Sequence, residues 1–141
     1  MATFNKFNQF VQDLSQKKHD LLNDSFKVML TNTAPVATNA IKTDITDITA
    51  GNGYTAGGSA SPVTSAVQTT GTFKWIITDV VFTASGGTVG PFRYAVLYND
   101  TQTTPAKPLI GWTDYGSAVT LNSAETFTVD FDNTNGVFTL V

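Results

Sequence analysis

The chain has 141 residues, of which 41% are hydrophobic and only 13% are charged, and its formal net charge is −3. This length corresponds to one domain, and the hydrophobic fraction is too high for a disordered chain. The acidic balance disfavours binding to nucleic acid through its phosphates. The lack of cysteine excludes disulfides, thiol nucleophiles and cysteine-ligated metals. No apolar run reaches the ~20 residues of a membrane span. From the charge balance and the short apolar runs together, we expect neither a nucleic-acid nor a membrane partner.

Apolar side chains near the N-terminus recur at spacings of three and four residues, which is the pattern of an amphipathic helix. They are Phe4, Phe7, Phe10, Val11 and Leu14. We expect a helix over about residues 3–20, with Thr3 as its N-cap and with Lys17 and Lys18 near its C-terminal end. The first residues lack the cationic and apolar stretches of a secretory signal, so we treat them as mature sequence.

After the helix the hydrophobic period changes from 3.6 to 2, which indicates β-structure. The predicted strands are short and lie at residues 26–31, 41–47, 63–69, 72–83, 92–99, 108–112, 118–121, 126–131 and 137–141. The stretch 50–62 is too rich in glycine for a regular element, and Asn135-Gly136 predicts a hairpin turn between the last two strands. We therefore expect a mainly β fold, an antiparallel β-sandwich of jelly-roll type with one N-terminal amphipathic α-helix.

The chain is expected to divide into an N-terminal helix over residues 1–22, acting as an anchor or arm, and a β-sandwich domain over residues 23–141. The predicted strand 72–83 is apolar on both faces, with Phe73, Trp75 and Ile77 on one face and Ile76, Val80 and Phe82 on the other. A strand that is apolar on both faces lies at the centre of a fold or under a partner. The pattern predicts self-association of the β-body through residues such as Ile76, as a homotrimer.

Residues with catalytic or metal-binding chemistry are sparse. His19 is the only histidine and is expected to lie partly exposed at the helix end rather than in a catalytic site. Spacing alone leaves open a glycosidase-like carboxylate pair of Asp44 with Asp47, although a solvated strand face is the simpler interpretation. The segment 130–136 resembles a calcium loop but has no glycine at position 6 and no glutamate at position 12. We expect no catalytic residue, no metal site and no cofactor.

Aromatic side chains are the remaining candidates for binding. Trp75 and Tyr94 lie in alternating strands and are expected in the core. Tyr54, Trp112 and Tyr115 lie beside glycine and aspartate in predicted loops or strand ends, where contact with a ligand or a subunit is as plausible as packing.

Five blocks of the sequence carry a resemblance to known proteins, namely 26–35 (FKVMLTNTAP), 44–48 (DITDI), 50–58 (AGNGYTAGG), 80–100 (VVFTASGGTVGPFRYAVLYND) and 108–115 (PLIGWTDY). They are similar to a recurrent family of small proteins from tailed bacteriophages. The resemblance covers most of the chain, including the helix. It implies a structural protein of the virion, most similar to the head decoration or cement proteins, which carry no catalytic residues.

The resemblance implies a protein on the surface of the phage head, made in the bacterial cytoplasm, with the major capsid protein and other copies of itself as partners. A surface rich in threonine (24 residues) and poor in charge is consistent with a body that neighbours cover. A tail or baseplate protein, or an adhesion module that binds a glycan through aromatic loops, stays open as the alternative. The helix has two open uses, docking on a capsid or sister subunit, which we favour, or covering its own sandwich.

Overall fold

Residues 2–141, which the computed structural model describes, form ten β-strands, one α-helix and a short 3₁₀ helix at Lys42–Asp44. The elements follow one another as β1 (Phe4–Lys6), α1 (Asn8–Ser15), β2 (Phe26–Thr31), β3 (Ser59–Ala60), β4 (Val63–Thr69), β5 (Thr72–Ile77), β6 (Val80–Thr83), β7 (Val89–Asn99), β8 (Leu109–Leu121), β9 (Thr126–Val129) and β10 (Phe138–Leu140).

The strands pair antiparallel in three sheets that enclose one main hydrophobic core. The largest sheet has five strands in the order β1-β8-β7-β2-β3, and it faces a three-stranded sheet (β10-β5-β4) and the pair β6-β9. Buried side chains from all three sheets meet between them, among them Phe26, Trp75 and Phe82. The prediction of a mainly β, antiparallel, sandwich-like fold with a helix near the N-terminus is confirmed.

The N-terminal helix is shorter than its sequence pattern predicts. Residues 4–6 form β1, which pairs with residues 111–113 of β8, and α1 begins only at Asn8. The N-cap is Phe7 rather than Thr3, and no side chain caps the helix. The reason is the close approach of β1 to Gly111, which has no side chain. The Phe4 ring fills the space beside this glycine, and a Cβ on Gly111 would lie only 2.3 Å from Cζ of Phe4. The pairing requires extended backbone at Phe4, so the helix cannot include it.

The predicted strand 72–83 is two strands in different sheets. β5 ends at Ile77, the chain crosses at Thr78 and Asp79, and β6 begins at Val80. Because the crossing shifts the alternation by one residue, Trp75 and Ile77 as well as Val80 point into the core. The crossing accounts for most of the two-faced apolar pattern, and only Ile76 and Val81 remain on outer faces.

Three other predicted elements differ from the structure. Residues 42–44 form a 3₁₀ helix instead of a strand, because the Asp44 carboxylate accepts hydrogen bonds from the Ala40 and Ile41 N–H groups and closes a turn. The segments 108–112 and 118–121 belong to the single long strand β8. The last two strands do not form a hairpin, since β9 pairs with β6 and β10 pairs with β5.

The five-stranded sheet is covered on both faces. Its inner face meets the main core, and a second cluster of buried side chains lies on its outer face, formed by Phe7, Met29, Ile45, Val96, Tyr98 and Leu109. Ile45 comes from the long segment between β2 and β3, so this connection acts as a lid on the sheet. The outer faces of β4–β5 and of β6–β9 have no comparable cover, since Val67 and Val81 on these faces are more than half exposed.

Candidate functional site

An apolar groove lies where the two ends of the chain meet. Its walls come from β1 and α1 on one side and from β10 on the other, and its volume is about 350 Å³. We call this the terminal groove. It is lined by Phe4, Lys6, Phe10, Val11, Leu14 and residues 137–140.

The terminal groove owes its position to two edge strands. β1 is the outermost strand of the five-stranded sheet and β10 the outermost strand of the three-stranded sheet, so one side of each has no strand partner among residues 2–141. Such edges can accept an added strand. Val11 is 53% exposed and Leu140 is 48% exposed, which leaves apolar surface in water on both walls. Unpaired backbone beside exposed apolar side chains is the chemistry of a docking site for an extended segment.

Phe7 and Phe10 are not surface residues. Phe7 is fully buried in the second cluster, and its ring centroid lies 4.5 Å from that of Trp112. Phe10 is 4% exposed, and its ring packs edge to face on that of Phe138 with the centroids 5.4 Å apart. The helix therefore covers its own sandwich, and the expectation that it reaches out to a neighbour is wrong for these two side chains. Phe4 and Leu14 are partly buried against the main core, and Val11 alone projects into solvent.

Tyr54 is also an internal residue, 4% exposed, whose ring belongs to the main core while its hydroxyl has polar partners. Its hydroxyl donates to Asp47 at 2.5 Å and accepts from the Leu30 N–H at 3.0 Å. Burial, with the hydrogen bond to Asp47, raises the pKa of Tyr54 far above its usual value, so the phenol stays protonated. The network fastens the glycine-rich segment 50–58 to β2, and the prediction of an interaction role for Tyr54 is wrong.

The remaining predicted interaction residues lie on three different surfaces. Trp112 is half-buried within β8 as part of the second cluster. Ile76 is partly buried on the outer face of β5, near Val67 and Lys74. Tyr115 is 56% exposed, and it lies within β8 rather than in a loop.

Tyr115 borders a second concave surface, which we call the Tyr115 cleft. It opens between β7–β8 and the edge of β9, and its volume is about 250 Å³. The chain's single arginine, Arg93, forms a two-point ion pair there with Asp114, at 2.7 and 2.9 Å. Arg93, Asp114 and the groove residues Phe138 and Leu140 were not predicted as site residues from the sequence. The one feature of the sequence that could have indicated the Tyr115 cleft is Arg93, the only arginine, within the mostly apolar strand β7.

The side chains considered as catalytic or metal-binding candidates make structural hydrogen bonds or are buried. The carboxylates of Asp44 and Asp47 both have structural partners. Asp44 caps the 3₁₀ helix, and Asp47 accepts from the Tyr54 hydroxyl and from the Gly57 N–H, the latter at 2.6 Å. His19 is buried rather than partly exposed, and burial lowers its pKa to about 4. Asp132 caps the turn before Gly136 by accepting from the Thr134 and Asn135 N–H groups.

Within residues 2–141, no three His, Cys, Asp or Glu side chains come together as metal ligands. Over the same residues, no helix has the length and apolar character needed to cross a membrane. No family model, no curated protein and no solved structure matches this chain.

Proposed function

We propose that this chain is a structural protein of a tailed-bacteriophage particle, a decoration or cement protein that docks on the major capsid protein through the terminal groove. The observation that carries the proposal is the groove itself, which places exposed Val11 and Leu140 between the unpaired edges of β1 and β10. The similarity of the sequence blocks to small phage proteins supports the same role.

The occupant of the groove is an extended, apolar segment of a capsid subunit. An edge strand binds such a segment through main-chain hydrogen bonds, and alternate side chains of the segment enter apolar pockets. Burial of the exposed halves of Val11 and Leu140 would contribute about 0.8–1.5 kcal/mol each. The surrounding body is held by its own core and by the covering segment, so docking requires no refolding of the chain.

The test is co-sedimentation of the purified protein with capsids that lack it. We expect the wild-type chain to bind at a copy number comparable with that of the capsid subunits. A Val11→Asp, Leu140→Asp double variant should fail to bind, because two carboxylates would lose their hydration in the contact. Val81→Asp is the matched control, since Val81 is equally exposed (55%) but lies on β6, away from the groove.

Circular dichroism and urea unfolding of both variants establish that they fold like the wild type. Binding of the folded double variant at wild-type level would contradict the proposed groove. A wild-type chain that binds at only a handful of sites per particle, or not at all, would contradict the decoration role and favour a tail or baseplate location.

A further inference from the structure

The Tyr115 cleft combines an exposed aromatic wall with polar groups that are already oriented. Its lining residues are Ala2, Arg93, Ala95, Thr113, Tyr115 and the segment 127–130. None of them lines the terminal groove, so an inference about the cleft is independent of the proposed capsid contact.

The aromatic wall is exposed and yet rigidly supported. The Tyr115 ring contacts Phe127 edge to face with centroids 5.3 Å apart, and Phe127 contacts Phe92 in the same way at 4.9 Å. Phe92 is fully buried, which connects the wall to the core. The Tyr115 ring is 56% exposed but held in orientation by Phe127, so it is a preformed stacking surface. A ligand that stacks on it would cost little side-chain entropy of Tyr115.

The polar side of the cleft is also fixed. The two-point pair with Asp114 uses two of the five N–H donors of Arg93, and the remaining three are available to a ligand. Asp114 also accepts from the Gly116 N–H at 2.8 Å, which fixes the pair from the other side. Asp130, which is exposed at the end of β9, adds a carboxylate acceptor to the opposite wall.

The charges in the cleft select against an anionic ligand. Asp114 is not part of the lining, but it already neutralises the Arg93 guanidinium, and the hydrogen bond from Arg93 lowers the pKa of Asp114, so this group stays ionised. Asp130 adds a carboxylate to the lining, so the cleft offers no unpaired positive charge to an anion. The volume of about 250 Å³ lies below the range of about 300–1,000 Å³ typical of drug-sized ligands. A small, uncharged ligand with one apolar face and several hydroxyl groups matches the size, the aromatic wall and the polar groups together.

We propose that the Tyr115 cleft binds a single neutral pyranose ring of a carbohydrate. The C–H face of the sugar stacks on Tyr115, because the negative face of the aromatic ring attracts weakly positive C–H groups. The free N–H groups of Arg93 donate to sugar hydroxyl oxygens, and Asp130 accepts from a hydroxyl on the other side of the ring.

The experiment is a titration of the ¹⁵N-labelled full chain, followed by amide chemical shifts, with the methyl pyranosides of glucose, mannose and galactose and with N-acetylneuraminic acid as the anionic probe. At least one neutral pyranoside should shift the amides of Tyr115, Gly116 and Thr128 in a saturable manner. Tyr115→Ala should weaken this binding about tenfold, whereas Tyr115→Phe, which keeps the ring, should leave it within about twofold of wild type. Arg93→Lys, which keeps the charge but loses the planar fork, should weaken it as well.

Several results would overturn the assignment: no saturable shift with any neutral pyranoside, equal binding by Tyr115→Ala and wild type, or tighter binding of the anionic sugar. The double variant of the terminal groove serves as the control, because it should bind the pyranoside as the wild type does. A wild-type chain that binds capsids but no pyranoside would therefore reject the sugar site and leave the groove standing. A wild-type chain that binds a pyranoside but no capsid would reject the groove and leave the sugar site standing.

Discussion

Two buried polar atoms near α1 have no hydrogen-bond partner among residues 2–141, namely Asp13 Oδ2 and His19 Nε2. The His19 ring is 5% exposed, and its Nδ1 lies 3.2 Å from Nδ2 of Asn99. Burial lowers the pKa of His19 from 6.5 to about 4, although Asp13 and Asp24 act in the opposite direction. The imidazole is therefore neutral in the folded chain at neutral pH.

This environment makes stability depend on pH. Between pH 6.5 and about 4 the unfolded chain carries a proton on His19 and the folded chain does not, so the free energy of unfolding falls as the pH is lowered. The expected loss is on the order of 3 kcal/mol across this range, measurable by urea unfolding at several pH values.

His19→Gln, which does not titrate, is the control and should give a flatter pH profile. The aspartates with lowered pKa values, Asp20, Asp100, Asp114 and Asp132, lose their stabilising contribution mainly as the pH falls below 3.8, and they contribute equally to wild type and variant. Equal slopes for wild type and variant would contradict the assignment.

Gly58 and Gly71 offer a matched test of backbone strain against crowding. Both have a positive φ, 81° and 85°. A Cβ on Gly58 would lie 1.8 Å from the Val28 carbonyl oxygen in β2, whereas a Cβ on Gly71 would meet nothing within 4 Å. Gly71→Ala should cost about 1–2 kcal/mol from strain alone, and Gly58→Ala about 2–5 kcal/mol because crowding is added. Denaturant midpoints measure the difference, and equal losses would contradict the close packing of segment 50–58 on β2.

At the level of the element, neighbouring residues of α1 lie on its buried face and on its exposed face. Phe10 is 4% exposed and its ring contacts Phe138 and His19, whereas Val11 is 53% exposed. Phe10→Ala should lower the free energy of unfolding by about 3–5 kcal/mol, and Val11→Ala should change it by no more than about 0.5 kcal/mol. Thermal and urea unfolding of both variants check this. A small effect of Phe10→Ala would mean that the helix does not dock on its own sandwich in solution.

Local alternation was sufficient to predict β2, β4 and most of β7, because apolar residues recur along each of them and turn residues lie at its ends. The register shifts in the pairing of β4 and of β7 were not predicted. It failed at Thr78 and Asp79, where the chain changes sheets and a new phase begins without a glycine or proline to mark it. It also failed at Phe4, since the partner of this residue in β8 lies more than a hundred positions away and no local pattern encodes the space at Gly111.

The candidate surfaces were only partly accessible from sequence. Exposure of Val11 and Tyr115 agrees with an interaction role, but burial of Phe7, Phe10 and Tyr54 depends on contacts distant in the chain. The terminal groove requires the first and last strands to be neighbours, and the Tyr115 cleft requires three strands to converge. Periodicity cannot supply either fact, because it describes one element at a time.

For the whole molecule, the uneven covering of the two layers bears on self-association. The outer face of β4–β5 keeps Ile76 and Val67 among hydroxyl side chains and Lys74, without a covering segment. We expect the chain to sediment as a trimer that uses this face. Ile76→Asp should give a folded monomer, because Lys74 on the same face provides a counter-charge, and Val81→Asp on β6 should remain trimeric. Sedimentation velocity distinguishes these outcomes, and a monomeric wild type at micromolar concentration would contradict the trimer.

The meeting of β1 and β10 at one groove decides where foreign sequence can be attached to this protein. A tag or a displayed peptide on either end of the chain would emerge beside the groove and compete with whatever docks there. The Ser85-Gly86 turn between β6 and β7 is exposed, and such loop tips tolerate insertions. It lies at the end of β8 that is remote from β1, since Val89 pairs with Leu121 whereas Phe4 pairs with Thr113. Cargo carried at that turn would leave the groove free, and the same turn is the natural place to open a circular permutant whose original ends are joined by a linker.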